Sequence, residues 1–129
     1  MSVEENKAVV QRLVEMVDTL ELDSLEEVLS PELAGEWREV LTTLPFSDHH
    51  MKITDIVGEG DQVAIRVATS GVHSGEWEGV PATGKRWTNV GFGLARLDGG
   101  KIVAEAMLFD ELDHLKQLGA TIVPPASNG

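Results

Sequence analysis

The chain reads as an α+β domain: a strongly curved, mostly antiparallel sheet packed against three N-terminal helices and followed by a short C-terminal helix. Three observations predict it. Apolar residues recur at helical spacing from Val9 to Leu44 and at strand spacing from Met51 to Leu108. Helices first and strands afterwards is an α+β order. The length, 129 residues, implies one domain with one core. We place that domain at residues 1–119 and read residues 120–129, which are small and Pro-containing, as a flexible tail.

Ser2 with Glu5 three residues on is a capping-box pattern, and Val9, Val10, Leu13, Val14, Val17 and Leu20 follow at helical spacing. A first helix is expected over 3–20. Asp23 and Ser24 can cap a short second helix whose apolar face is Leu25, Val28 and Leu29. Pro31 suits the first turn of a third, where Leu33, Trp37, Val40, Leu41 and Leu44 form a stripe that Pro45 ends. The period then changes. Met51, Ile53, Ile56 and Val57 read as a strand closed by Gly58-Glu59-Gly60, and Val63 to Ser70 as a long half-buried strand. Trp87 to Leu97 alternates again, Asp98-Gly99-Gly100 is a tight hairpin signal, and Lys101 to Leu108 returns. Leu112, Leu115 and Leu118 suit a short last helix stopped by Gly119. Three helices on one face of a curved sheet leave a cone whose mouth admits a small molecule.

Composition narrows the function. Acids outnumber bases 22 to 10, a net charge of −12, which argues against nucleic acid or an anionic membrane as partner. No apolar run approaches the ~20 residues of a membrane span. Met1 to Lys7 lacks the basic and apolar regions of a signal peptide, which predicts a cytoplasmic protein. The absence of cysteine removes disulfides, thiolate catalysis and Cys-ligated zinc.

Several side chains could carry chemistry. Asp110 follows the last strand; near an apolar pocket its carboxylate suits general acid–base work, and it equally suits an N-cap for the last helix. His73 could shuttle a proton or simply bond backbone in the loop that follows it. Arg66 could clamp a carboxylate or enolate, or pair with an acid across the sheet. Glu105, between two alanines, could enter a cavity, and Asn89 could donate to an oxyanion. Trp37, Trp77 and Trp87 are core or pocket wall, and aromatic walls suit a flat ring. His49 and His50 after Asp48 invite a metal, but strand neighbours point to opposite faces and no further ligands stand at a sensible spacing, so no metal is expected.

The most distinctive stretch is G-V-H-S-G-E-W-E-G-V-P-A-T-G-K-R, Gly71 to Arg86. Four glycines and a proline in one connection mark a built loop rather than a plain hairpin. The segment resembles the signature of the SnoaL-like polyketide cyclases, a branch of the superfamily with the nuclear-transport-factor-2 and ketosteroid-isomerase fold. Gly71, His73, Gly75, Trp77, Gly79, Val80, Pro81, Thr83, Gly84, Lys85 and Arg86 carry the match. Phe46-Ser47-Asp48 looks like the segment closing the third helix in many members. Residues 57–66, 98–103 and 109–119 extend the resemblance to about 46–119.

That resemblance implies a cone-shaped α+β barrel, a homodimer or homotetramer, and no metal or organic cofactor. It implies ring closure in a hydrophobic polyketide-type carbonyl compound by intramolecular aldol chemistry, as in antibiotic biosynthesis, with Asp110 as acid–base residue. His73 and Arg66 match positions that can line the pocket. Two departures imply a smaller or differently shaped pocket: Glu105-Ala106 replaces a common His-Trp, and the segment before Phe46 is short. Other outcomes on such a fold are a non-catalytic binding or assembly module, and an epoxide-opening enzyme holding water between Asp110 and Glu105.

Overall fold

The computed structural model describes residues 1–126. The expected tail is therefore described only over 120–126, which contains no helix or strand; 127–129 lie outside the described residues.

Helix α1 (Val3–Thr19) starts with the predicted capping box: the Ser2 hydroxyl accepts the Glu5 N–H and Glu5 accepts the Ser2 N–H. Its buried stripe is Val10, Leu13, Val14 and Val17. The expected second helix is a 3-10 turn, Leu22–Glu27, in which Asp23 and Ser24 lie inside rather than at a cap. Leu25 is its buried anchor. Helix α2 (Pro31–Thr42) is capped by the Ser30 hydroxyl with Pro31 in its first turn, and ends three residues before Pro45.

Strands β1 (Phe46–Glu59), β2 (Gln62–His73), β3 (Arg86–Asp98) and β4 (Lys101–Phe109) form one antiparallel sheet in sequence order. The sheet is curved but not closed, so the expected barrel is an open cone with β1 and β4 as its edges. Irregularities in register at Ser47/His50, Ile53/Asp55 and Arg96/Leu97 add bend and twist. The loop joining β3 to β4 is the two residues Gly99-Gly100, both at positive φ, as the sequence predicts.

β1 begins five residues earlier than the apolar pattern predicts, at the very segment expected to close the third helix. Asp48 sits in the left-handed region (φ 47°), and Asp48 and His49 together oppose a single residue of β2. This bulge lets a polar stretch join the sheet and sets which way His49 and His50 point.

Along β3, Trp87, Asn89, Ala95 and Leu97 are buried and their neighbours exposed. The buried face meets α1, the 3-10 turn and α2 in one core that includes Met16, Val17, Leu25, Leu29, Val63, Val67 and Ile102. The other end of the sheet is closed by α3 (Glu111–Gln117). Its expected face of Leu112, Leu115 and Leu118 is only partly the buried one: Leu112 is 43% exposed, whereas His114 and Leu118 are buried. The Gln117 side chain fixes the docking by accepting the Thr88 N–H and donating to the Thr88 carbonyl.

Candidate functional site

Between α2 and the concave face of the sheet lies a cavity of about 380 Å³, within the ~300–1,000 Å³ of small-molecule sites. Helix α2 contributes Trp37, Val40 and Leu41, and the turn after it Leu44, four of the five residues of the apolar stripe read from the sequence. Phe46, His49 and Met51 come from β1, Thr69 from β2, Trp87 from β3, and Glu105, Met107 and Phe109 from β4. The signature loop adds Trp77, and Glu111 and His114 come from α3. Glu36, Val40, Phe109 and Glu111 are exposed and form the mouth; Leu41, Met51, Thr69, Trp87 and His114 are buried and form the floor.

The floor is an aromatic cluster around His114. Its ring lies 4.1 Å from Trp87, 4.3 Å from Trp77 and 5.1 Å from Phe46 between centroids. Phe46 in turn meets Trp87 edge-on at 4.7 Å. The signature loop brings Trp77 there by folding on itself: Trp77 and Val80 exchange backbone hydrogen bonds across Glu78-Gly79, and Ser74 and Gly75 donate to the Pro45 carbonyl. Gly71 is required by a close approach, because a Cβ there would stand 2.9 Å from Trp87 Cζ2.

Hydrogen bonds assign the histidine tautomers. The Thr69 hydroxyl donates to the His50 carbonyl (2.9 Å), so it accepts from His49 Nε2 (3.3 Å) and leaves His49 Nδ1 as a lone pair. The Asn89 amide oxygen accepts the Val90 N–H, so its amino group faces His114 Nδ1 (3.5 Å) and His114 Nε2 carries the proton. His73 Nδ1 accepts the Thr83 backbone N–H (3.2 Å), again placing the proton on Nε2. His49 Nδ1, His73 Nε2, His114 Nε2 and Trp87 Nε1 are all buried with no protein partner. Burial holds His49 below the ordinary imidazole value, with His50 adding to the effect and Asp18 opposing it. Burial also lowers His114, reinforced by His73 and opposed by Asp113. Both rings are therefore neutral at neutral pH.

Of the residues singled out in the sequence, Trp37, Trp77, Trp87 and Glu105 line the cavity. His73 is fully buried behind the wall, held by Thr83 in the loop, and does not line it. Asn89 is buried beneath His114 and orients its ring. Arg66 stays outside: on the outer face it pairs with Asp55 at 2.7 Å, directly across from it in β1. Asp110 is exposed, and its carboxylate accepts the Asp113 N–H as the N-cap of α3. It lies in a separate groove with His50, Lys52 and Thr88. The Asp110–Glu105 pair needed to hold a water for epoxide opening is thus not assembled. His49 enters the cavity while His50 points out to Asp18 and Asp48. Among the described residues, no three His, Asp or Glu side chains converge as a metal site.

Sequence reasoning missed His114, because the leucines of α3 offered a more apolar face. The available signal was its place four residues before Leu118, on the same side of the helix. It also weighed His49 only as a metal ligand, since the bulge that turns it inward has no local apolar signature.

The sequence profile of the SnoaL-like polyketide cyclases matches residues 33–118. No curated protein matches the chain in sequence. Among solved structures, TsrD from Streptomyces laurentii superposes with a TM-score of 0.81 at 20% identity, over 94% of this chain and 99% of that one. IdmH from Streptomyces antibioticus, with a proposed polyketide cyclase role, gives 0.77 at 26% identity, over 89% and 99%. AclR from Streptomyces galilaeus, with a proposed hydroxylase role, gives 0.79 at 25% identity, over 95% and 91%.

Proposed function

The chain belongs to the SnoaL-like polyketide cyclase family, and from that premise we propose that it closes a ring in a neutral, apolar, polyketide-type carbonyl compound by intramolecular aldol chemistry. The observation that carries this reading is the aromatic-walled cavity lined by two neutral histidines, His49 and His114. Flat walls at Trp37, Trp77 and Trp87 hold a folded, partly aromatic chain, so that two carbonyl-bearing segments meet without solvent between them. Glu36 and Glu111 at the mouth disfavour an anionic substrate. Aldol closure needs only proton transfer and stabilisation of a developing oxyanion, and cavity side chains supply both. No cofactor is called for. Asp110 acts as a helix cap, and the acid–base work falls to groups inside the cavity.

A second copy of the chain is the proposed partner of the outer sheet face, where Val90, Phe92, Leu94 and Leu108 are exposed together.

The test is a screen of linear and partly cyclised aromatic polyketide esters against the wild type and Val40→Trp. Val40 is 60% exposed at the mouth, so the substitution plugs the entrance without disturbing the core. Turnover in the wild type and its loss in the variant support the reading. Binding without turnover would favour a non-catalytic carrier.

A further inference from the structure

We infer that the Glu105 carboxylate is the acid–base group of the cavity: it takes the proton from the carbon next to the substrate carbonyl and returns it once the ring has closed. The inference rests on the reading of the cavity as a carbonyl-binding site and says which side chain moves the proton there.

The direction of Glu105 follows from the sheet. Cross-strand partners share a face, and Glu105 pairs with Ala95 of β3, which is buried. Residues two apart on a strand also share a face. Met107 packs against the core, whereas Ala106 and Leu108 are exposed. Glu105 therefore points to the concave face, where it lines both the cavity and a smaller apolar recess beside it.

Its surroundings contain no partner for a carboxylate. Val10, Leu13, Val14 and Met51 are typical of the recess, and Glu105 is the one acidic or basic residue that lines it. The cavity has two further carboxylates, Glu36 and Glu111, and both are exposed at the mouth. No lysine or arginine lines either space. Among the described residues, the Glu105 carboxylate makes no hydrogen bond and no ion pair. Glu105 is half-buried, yet its oxygens stay accessible, unlike the sealed nitrogens of His49, His114 and Trp87. Holding a carboxylate among apolar side chains without a partner costs free energy. An accessible, unpaired carboxylate beside a bound carbonyl compound is what proton abstraction requires. Trp37 lines both spaces together with Glu105, so the flat wall and the base serve one ligand. Asp110, by contrast, is engaged as the cap of α3.

The step balances. The carbon next to the substrate carbonyl gives its proton to a Glu105 carboxylate oxygen. The C–H electron pair becomes the enolate double bond, and the carbonyl π pair moves to oxygen. The enolate carbon attacks the second carbonyl of the same molecule, the first carbonyl re-forms, and the π pair of the second moves to its own oxygen. That alkoxide takes the proton back from the Glu105 carboxylic acid. No atom is gained or lost, and no oxidant or reductant enters.

The probe is 2-tetralone. Its binding to the whole chain is read by quenching of tryptophan fluorescence, and exchange of the hydrogens flanking its carbonyl in D2O by proton NMR. Glu105→Gln keeps the shape of the side chain and breaks no hydrogen bond. It should bind the probe as the wild type does and lose about 10²-fold or more of the catalysed exchange. Glu105→Ala should lose it likewise, and sodium formate, a free carboxylate, should restore it by about tenfold or more where sodium chloride does not. The formate response decides the matter even where the glutamine variant fails to fold. Exchange at the wild-type rate in Glu105→Gln overturns this inference and leaves the cavity reading standing. A loss in Glu105→Ala that formate does not restore marks a structural role and overturns it as well. A wild type that does not bind 2-tetralone, or binds it without speeding exchange, overturns both.

Discussion

Gly71 and Trp87 face each other across β2 and β3, and the indole ring lies where a side chain at residue 71 would begin. This contact explains why the signature segment opens with glycine: it seats the ring that forms the cavity floor. Gly71→Ala should destabilise the fold by about 1–3 kcal/mol, as overpacking does, and weaken ligand binding by displacing Trp87. Urea unfolding and tryptophan fluorescence check both effects.

Stability should fall with acidification from about pH 6.5 downward. His49 and His114 have folded values depressed by burial, so between the folded and unfolded values the unfolded chain binds more protons. Their contribution is fully present above the unfolded value of about 6.5 and is lost as pH falls through the folded values. Asp18 acts in a lower window. The Lys52 ammonium, the Met51 N–H and His50 hold its carboxyl below the ordinary value, so its contribution is lost only on stronger acidification. Urea midpoints between pH 8 and pH 4 should show the first fall near 6.5, and His114→Phe should flatten it.

Arg66→Ala should leave ligand binding in the cavity unchanged and cost less than about 1 kcal/mol, as removal of an exposed ion pair does. Calorimetric titration with a cavity ligand and a thermal melt are sufficient to check this.

The outer face should hold two chains together. Phe92 is 59% and Leu108 76% exposed on adjacent strands, where they pair in register. Phe92→Asp with Leu108→Lys should convert a dimer or larger assembly to a monomer in analytical ultracentrifugation, with the circular dichroism of the fold retained.

What was legible in the sequence was local. The capping box at Ser2 and Glu5, the Pro31 helix start and the Gly99-Gly100 turn depend on residues within a few positions of each other, and all three form. The α2 stripe reads in part, because one helix face decides most of it: Leu33, Trp37 and Leu41 turn to the core, whereas Val40 is exposed at the cavity mouth. The chemistry was less legible because distant segments decide it. His114 becomes a floor residue only when Trp77, Trp87 and Phe46 arrive from three other segments. His49 turns inward through a bulge whose register is set by β2. Arg66 finds Asp55 through strand pairing, and the two readings open for Asp110 could be separated only by where its carboxylate points.

The most direct test follows deuterium from D2O into the carbons flanking the carbonyl of 2-tetralone, by proton NMR, with wild type, Val40→Trp and Asp110→Asn. Asparagine caps helices as well as aspartate does, so the last variant leaves α3 in place. The account predicts catalysed exchange in the wild type, exchange kept in Asp110→Asn, and a loss of about 10²-fold or more in Val40→Trp, which plugs the entrance. Exchange no faster than in buffer, or lost in Asp110→Asn and kept in Val40→Trp, would contradict it.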